Sequence, residues 1–296
     1  MESNFRKILT LIDHTEASMH AAEEAALIAS RFDAELQLLH ISPYESSKSL
    51  ITSGLLFFNV PVIEEEEYYL KIEKLERLKK KLEKRFGILI TCFENRGDFM
   101  EVVKSHVKEF SVDLIVLGTK KKNWLKEIFI ENKVNSVIGS LSCEVLCVSS
   151  GSQTDTLKKI IVPVAKSIPK KKIGIAYEFA KKFAGRIYLI ALNRSENKLS
   201  DQSTKTLIAS YRYLKDLTNI PIECCTVNGT NLASATMYYA QRVGADLILI
   251  NEGSESYFKK PLWNGNIVNH SSVPVLSVHS MNYKERDKYP EMKAVR

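Results

Sequence analysis

The chain reads as α/β: two tandem open, doubly wound parallel five-stranded sheets of the Rossmann-like class. Three observations predict this. Short, uninterrupted apolar runs alternate with stretches of helical periodicity, the pattern of a parallel sheet covered on both faces. The whole series occurs twice in the same order. At 296 residues and 45% hydrophobic, the chain has enough material for two domains of ordinary size.

The start, MESNFRKILTLID, lacks the charged-then-apolar pattern of a leader and runs directly into a strand near Ile8–Ile12. An amphipathic helix follows, ending in AALIASRF at Ala25–Phe32, and then a strand at Glu35–Ile41. An insertion of about 43–67 contains the apolar run LITSGLLFFNVPVI, expected either to pack over its own or its sister domain or to act as a lid or partner surface. Beyond it Tyr68, Ile72, Leu75, Leu78, Leu82 and Phe86 recur at helical spacing as one apolar stripe. Glu64–Glu67 open that helix and a basic cluster closes it, which suits the helix dipole at both ends. Strands are expected at Leu89–Phe93, Leu114–Leu117 and Val145–Val148, with helices between them.

The second copy repeats these elements. KIIVPVAKS at Lys159–Ser167 parallels KILTLIDHT at Lys7–Thr15, and AYEFAKKF at Ala176–Phe183 parallels AALIASRF. Likewise IYLIAL parallels LQLLHI, ADLILI parallels VDLIVL, and PVLSVHS parallels EVLCVSS. The join falls in the polar stretch SSGSQTDT. The expected division is 1–150, then 157–280, then a basic tail at 281–296. Right-handed crossovers would put a ligand crevice at the carboxyl ends of the strands in each half.

Composition narrows the function classes. The formal charge of +7 gathers in clusters such as Lys79–Lys81, Lys120–Lys122 and Lys170–Lys172. None is interleaved with aromatics as a base-stacking platform requires, so solvated helix faces and loops are expected, and nucleic acid is not the expected partner. The longest nearly uncharged run, Leu50–Ile63, is too short to span a bilayer and contains Gly54 and Pro61, so a cytoplasmic protein without membrane contact is expected. Five cysteines, Cys92, Cys143, Cys147, Cys224 and Cys225, form no CxxC pair and read as buried, reduced thiols. Six histidines show no metal-ligand spacing, although His14 and His20 fall near the expected crevice. No nucleophile elbow and no Gly-x-Gly-x-x-Gly follows a strand, so neither a hydrolase nor a dinucleotide site is indicated.

At these residues the chain resembles the universal stress protein family, as a tandem two-domain member. The matching positions are Asp13-His14-Thr15 after the first strand, His40-Ile41 after the second, and Gly97-Asp98 opening a helix. Asp113–Gly118 and Asp246–Ile250 match the family's fourth strand, and Pro274-Val275-Leu276 its last; Glu144-Val145-Leu146 matches that last strand with one change. The resemblance covers nearly all of the chain except the tail and implies an adenine nucleotide alpha hydrolase-like fold.

ATP-binding members of that family carry Gly, two residues, Gly, nine residues, then Gly and Ser or Thr. Bare backbone of this kind can wrap phosphates with its N–H groups. In the first half that frame falls on Gly118, Lys121, Glu131 and Asn132, so one glycine of three survives. Glu131 near a terminal phosphate would cost about 4 kcal/mol at about 4 Å and an effective dielectric of about 20. In the second half the frame begins at Asn251 and Ser254, with Gly265 and Pro261 both close to the third position, and Ala165 replaces the family's aspartate. The resemblance thus implies a non-catalytic stress protein with no bound cofactor, which works by sensing or partner binding. As the alternative, ATP or another adenine nucleotide binds, with slow hydrolysis, through Asp13, Ile41, Gly118 and Thr119. Asp13 alone reads equally as a ribose or metal contact and as a turn cap. The final strands, VLCVSS and VLSVHS, would be unpaired edges, so the two halves are expected to pair through them inside one chain, with further dimerisation open.

Overall fold

The computed structural model describes residues 5–42, 63–119, 141–149, 157–193, 202–228, 232–251 and 273–279. Within them the strands are β1 (Lys7–Leu11), β2 (Glu35–Ser42), β3 (Ile90–Arg96), β4 (Leu114–Thr119), β5 (Glu144–Ser149), β6 (Lys159–Val164), β7 (Arg186–Asn193), β8 (Ile222–Asn228), β9 (Leu247–Asn251) and β10 (Val275–Val278). The helices are α1 (Glu16–Phe32), α2 (Ile63–Phe86), α3 (Phe99–Phe110), α4 (Lys170–Lys182), α5 (Gln202–Leu217) and α6 (Leu232–Val243). The helices expected between β4 and β5 and between β9 and β10, the bulk of the apolar insertion, the join and the tail lie outside the described residues.

Each half is a doubly wound parallel sheet. The strand order β3-β2-β1-β4-β5-β10-β9-β6-β7-β8 makes a single ten-stranded sheet in which β5 and β10 meet. That central pair is antiparallel, with Val275 opposite Cys147 and Ser277 opposite Val145, while every other neighbouring pair is parallel. The antiparallel seam relates the halves by a pseudo-twofold axis. In each half the order reverses beside the first strand, which opens a crevice at the carboxyl ends.

Local chemistry accounts for the elements. Thr15 caps α1, its Oγ1 accepting from Ser18 N at 3.3 Å, and Asp98 caps α3 by accepting from the amides of Met100 and Glu101. The stripe of α2 buries Leu75, Leu78 and Leu82 against the sheet. Of its terminal basic cluster, Lys81 and Arg85 bind Glu23 of α1 at 2.7 and 3.3 Å. The aspartates of the repeated DLI motifs prove to be structural. Asp113 Oδ2 accepts from the amides of Arg6 and Lys7 at 2.8 and 3.0 Å, and Asp246 Oδ2 accepts from those of Lys158 and Lys159 at 2.9 and 2.8 Å. Each aspartate thereby ties the start of the fourth strand of its half to the entry of the first.

One core cluster extends through both halves on one side of the sheet. At its centre Phe5, Phe32 and Phe179 meet edge to face at 5.1–5.7 Å. Arg31 lies over the Phe183 ring at 5.8 Å, and the corresponding Lys182 of the second half lies over Phe32 at 5.7 Å. On the opposite side each half keeps its own cluster. Among the described residues no helix is long and apolar enough to cross a membrane.

Two expectations need correction. None of the five cysteines is in a disulfide, but only Cys143 and Cys147 are buried; Cys224 is exposed on β8, which is an outer strand among the described residues. The Lys170–Lys172 cluster is only in part a solvated face, with Lys170 exposed. Lys172 is 6% exposed, with Nζ 2.6 Å from the Pro163 carbonyl, and Lys171 forms an interior ion pair with Glu144.

Candidate functional site

The tips of β1, β2 and β4 form the crevice of the first half. Register places them side by side: Leu11 pairs with Leu39, and Thr10 with Val116. Asp13 and His14 follow β1, His40 and Ile41 end β2, and Gly118 and Thr119 end β4. The four residues read as a vestigial nucleotide site therefore share one edge of the sheet.

Asp13 is exposed and shapes a turn. Its Oδ1 accepts from Thr15 N at 2.9 Å and from Thr15 Oγ1 at 2.6 Å, while its own amide donates to Ser18 Oγ at 3.4 Å. Partial burial pushes the carboxyl up, but the contacts with Ser18 and Thr15 outweigh it and hold the group below its ordinary value. Ile41 is half-buried and packs on the core cluster beneath α3. Thr119 pairs with Ser149 in the β4–β5 ladder.

Gly118 has a role that phosphate chemistry does not require. A Cβ at this position would come 2.0 Å from the Ala17 carbonyl oxygen and 2.4 Å from its carbon. The first turn of α1 thus lies directly on the end of β4, and only glycine permits the approach. The matching end of β9 is Asn251, and there α4 begins after Pro169 without a side-chain cap.

Among the described residues, apolar groups line the edge of the second half's crevice that corresponds to Asp13. Ala165, which stands where the first half has Asp13, packs with Leu192, Leu232, Ala235 and Val227. Leu192 is the counterpart of Ile41. The remaining loop positions of both frames, Lys121, Glu131, Asn132, Ser254, Pro261 and Gly265, lie outside the described residues.

Sequence spacing missed a pair of histidines. The rings of His14 and His40 lie 5.3 Å apart, although no helical or strand spacing relates them. Burial pushes the His14 imidazole below its ordinary value, with His40, Lys74 and Lys71 adding to the effect and Asp13 opposing it. His20 points elsewhere, to Glu24 one turn along α1 at 4.0 Å. His106 is buried against Gln37 Oε1 at 3.0 Å and between Phe93 and Phe110, a core histidine.

Comparison with known proteins agrees with this architecture. Residues 4–149 match the family model described as the universal stress protein family. Universal stress protein YxiE of Bacillus subtilis is 28% identical over 146 residues, which is 49% of this chain and 99% of that protein. Universal stress protein MJ0531 of Methanocaldococcus jannaschii is 28% identical over 147 residues, covering 50% of this chain and 84% of its own length. A solved universal stress protein from Archaeoglobus fulgidus superposes with a TM-score of 0.71, at 15% identity, over 94% of this chain and 99% of its own; at that identity the likeness concerns the fold alone. The chain belongs to the universal stress protein family, its amino-terminal half carrying the family's sequence match and its carboxyl-terminal half repeating the same fold.

Proposed function

We propose that this is a non-catalytic, cytoplasmic stress-response protein that works by sensing or partner binding, with a degenerate phosphate loop in both halves and no bound cofactor. The observation that carries the reading is the apolar lining of the second crevice among the described residues, where Ala165, Leu192, Leu232 and Ala235 cluster at the edge that holds Asp13 in the first half. At the position of Asp13 this lining offers a nucleotide no carboxylate. For the first half the support comes from sequence: Lys121 and Glu131 stand where bare backbone would be required, and Asn132 where the frame has Ser or Thr. Pairing of the halves through β5 and β10 belongs to the same proposal, since it leaves the outer strands β3 and β8 as the edges open to a second copy or another protein.

Equilibrium binding of labelled ATP, with and without magnesium, to the wild type and to Asp13→Ala tests this. No saturable binding in the micromolar range is expected. Micromolar, magnesium-dependent binding that disappears in Asp13→Ala would overturn the proposal. One observation favours a second reading, in which the first half binds ATP through Asp13, Ile41, Gly118 and Thr119 and hydrolyses it slowly. Asp13 is exposed, its carboxyl is held below the usual range, and it stands at the point where the strand order reverses.

A further inference from the structure

The crossover from β1 through α1 to β2 brings two histidines to one tip. The ring centroids of His14 and His40 are 5.3 Å apart, with their planes tilted by 40°. His40 is 8% exposed, and its Nδ1 lies 2.7 Å from the Ile12 carbonyl oxygen. A carbonyl only accepts, so Nδ1 carries the proton and Nε2 presents a lone pair. The Nε2 atoms of His40 and His14 are both shut off from solvent, and among the described residues neither has a hydrogen-bond partner. Buried polar atoms are nearly always satisfied, so two such atoms on facing rings require an explanation. The backbone adds a second sign: His14 sits in the left-handed region at φ 62° although it is not glycine.

We infer that His14 and His40 form a two-imidazole seat for a divalent transition-metal ion of the zinc or copper type. Two imidazoles sharing a tetrahedral ion, with metal–nitrogen distances of about 2.0–2.1 Å, bring their centroids to about 5 Å, which is the separation observed. The bond from His40 Nδ1 to a backbone carbonyl is the outer contact that fixes the tautomer of a ligating histidine. Imidazole donors select zinc, copper or nickel over magnesium or calcium. Among the described residues no group of three or more His, Cys, Asp or Glu gathers around an ion. The two imidazoles are thus the protein donors among the described residues, and the other coordination positions fall to a ligand that enters with the ion. Lys71 and Lys74 act on His14 against a cation, and Asp13 acts in its favour. Binding is accordingly moderate rather than tight.

The full-length protein, stripped with a chelator and titrated with zinc chloride, provides the test. Calorimetry reads the stoichiometry and NMR reads the imidazole protons. The wild type should take up one equivalent of zinc and shift the ring signals of two of its six histidines. His14→Gly removes one imidazole and relieves the left-handed backbone, so it should fold at least as well while losing at least about tenfold in zinc affinity. His40→Gln should weaken the same equivalent. Unchanged zinc affinity in a folded His14→Gly protein would overturn the inference, as would a wild type that binds no zinc because water alone bridges the two rings. Either result leaves the ATP experiment above unaffected.

Discussion

Lys171 Nζ of the second half lies 2.9 Å from Glu144 Oε1 of the first, and the same ammonium donates to the His279 carbonyl at 3.0 Å. Glu144 Oε2 in turn accepts from the His279 amide at 2.8 Å. Glu144 occupies the position where the family's last strand, and β10 in this chain, has proline before the strand. The one departure in that motif is thus a carboxylate placed to bind across the seam. Burial pushes the Glu144 carboxyl up, and Lys171 and the His279 amide offset this only in part.

A double-substitution cycle should expose the coupling. Lys171→Met leaves a carboxylate buried without its cation and should cost about 3–5 kcal/mol in chemical denaturation, whereas Glu144→Leu combined with Lys171→Met should return to near wild-type stability. Because the folded-state pKa of Glu144 is raised, the stability linked to its proton is fully present below its unfolded value and is lost as pH rises through the folded one. The Lys171→Met defect should therefore be smaller at pH 5 than at pH 8. A loss in the double equal to the sum of the two single losses would show that the pair contributes nothing specific.

Lys172 is the clearest case of a charge in the wrong medium. Burial pushes its ammonium down to about 7, with the Pro163 carbonyl as its neighbour. A depressed folded pKa means stability that is present above the unfolded value, near 10.5, and lost as pH falls toward 7. Lys172→Met should raise the melting temperature at pH 7, by an amount corresponding to about 1–4 kcal/mol, and the advantage should shrink as pH approaches 10. Thermal scans across that range check both the sign and the slope.

Gly118→Ala should destabilise the protein by about 1–3 kcal/mol or more, since its methyl would enter the Ala17 carbonyl. The effect should appear without any ligand, which separates it from a phosphate-binding role. A Gly118→Ala protein as stable as the wild type in urea would show that α1 does not lie so close to β4.

Asp246→Ala removes two backbone bonds, to the amides of Lys158 and Lys159, and Asp113→Ala removes the equivalent pair. Each change should cost about 1–3 kcal/mol. The two costs should be additive, because the sites lie at remote positions of a long sheet. Hydrogen exchange should localise each loss to the first and fourth strands of its own half.

Much of the architecture was legible in the chain because its signals are local. Alternating apolar runs, the stripe from Leu75 to Leu82, and the caps at Thr15 and Asp98 each depend on residues a few positions apart. Asp13 was readable as a turn-former for the same reason. The repeat disclosed two units, and the apolar strands disclosed a parallel sheet. Tertiary structure alone decided the rest. It set Lys171 against Glu144, turned Lys172 inward, pressed Ala17 onto Gly118, packed Ala165 among leucines and faced His14 with His40. Those contacts join residues from different strands and helices, and in most cases residues remote along the chain. Periodicity reports which face of an element is buried; it carries no information on which distant side chain will meet it there.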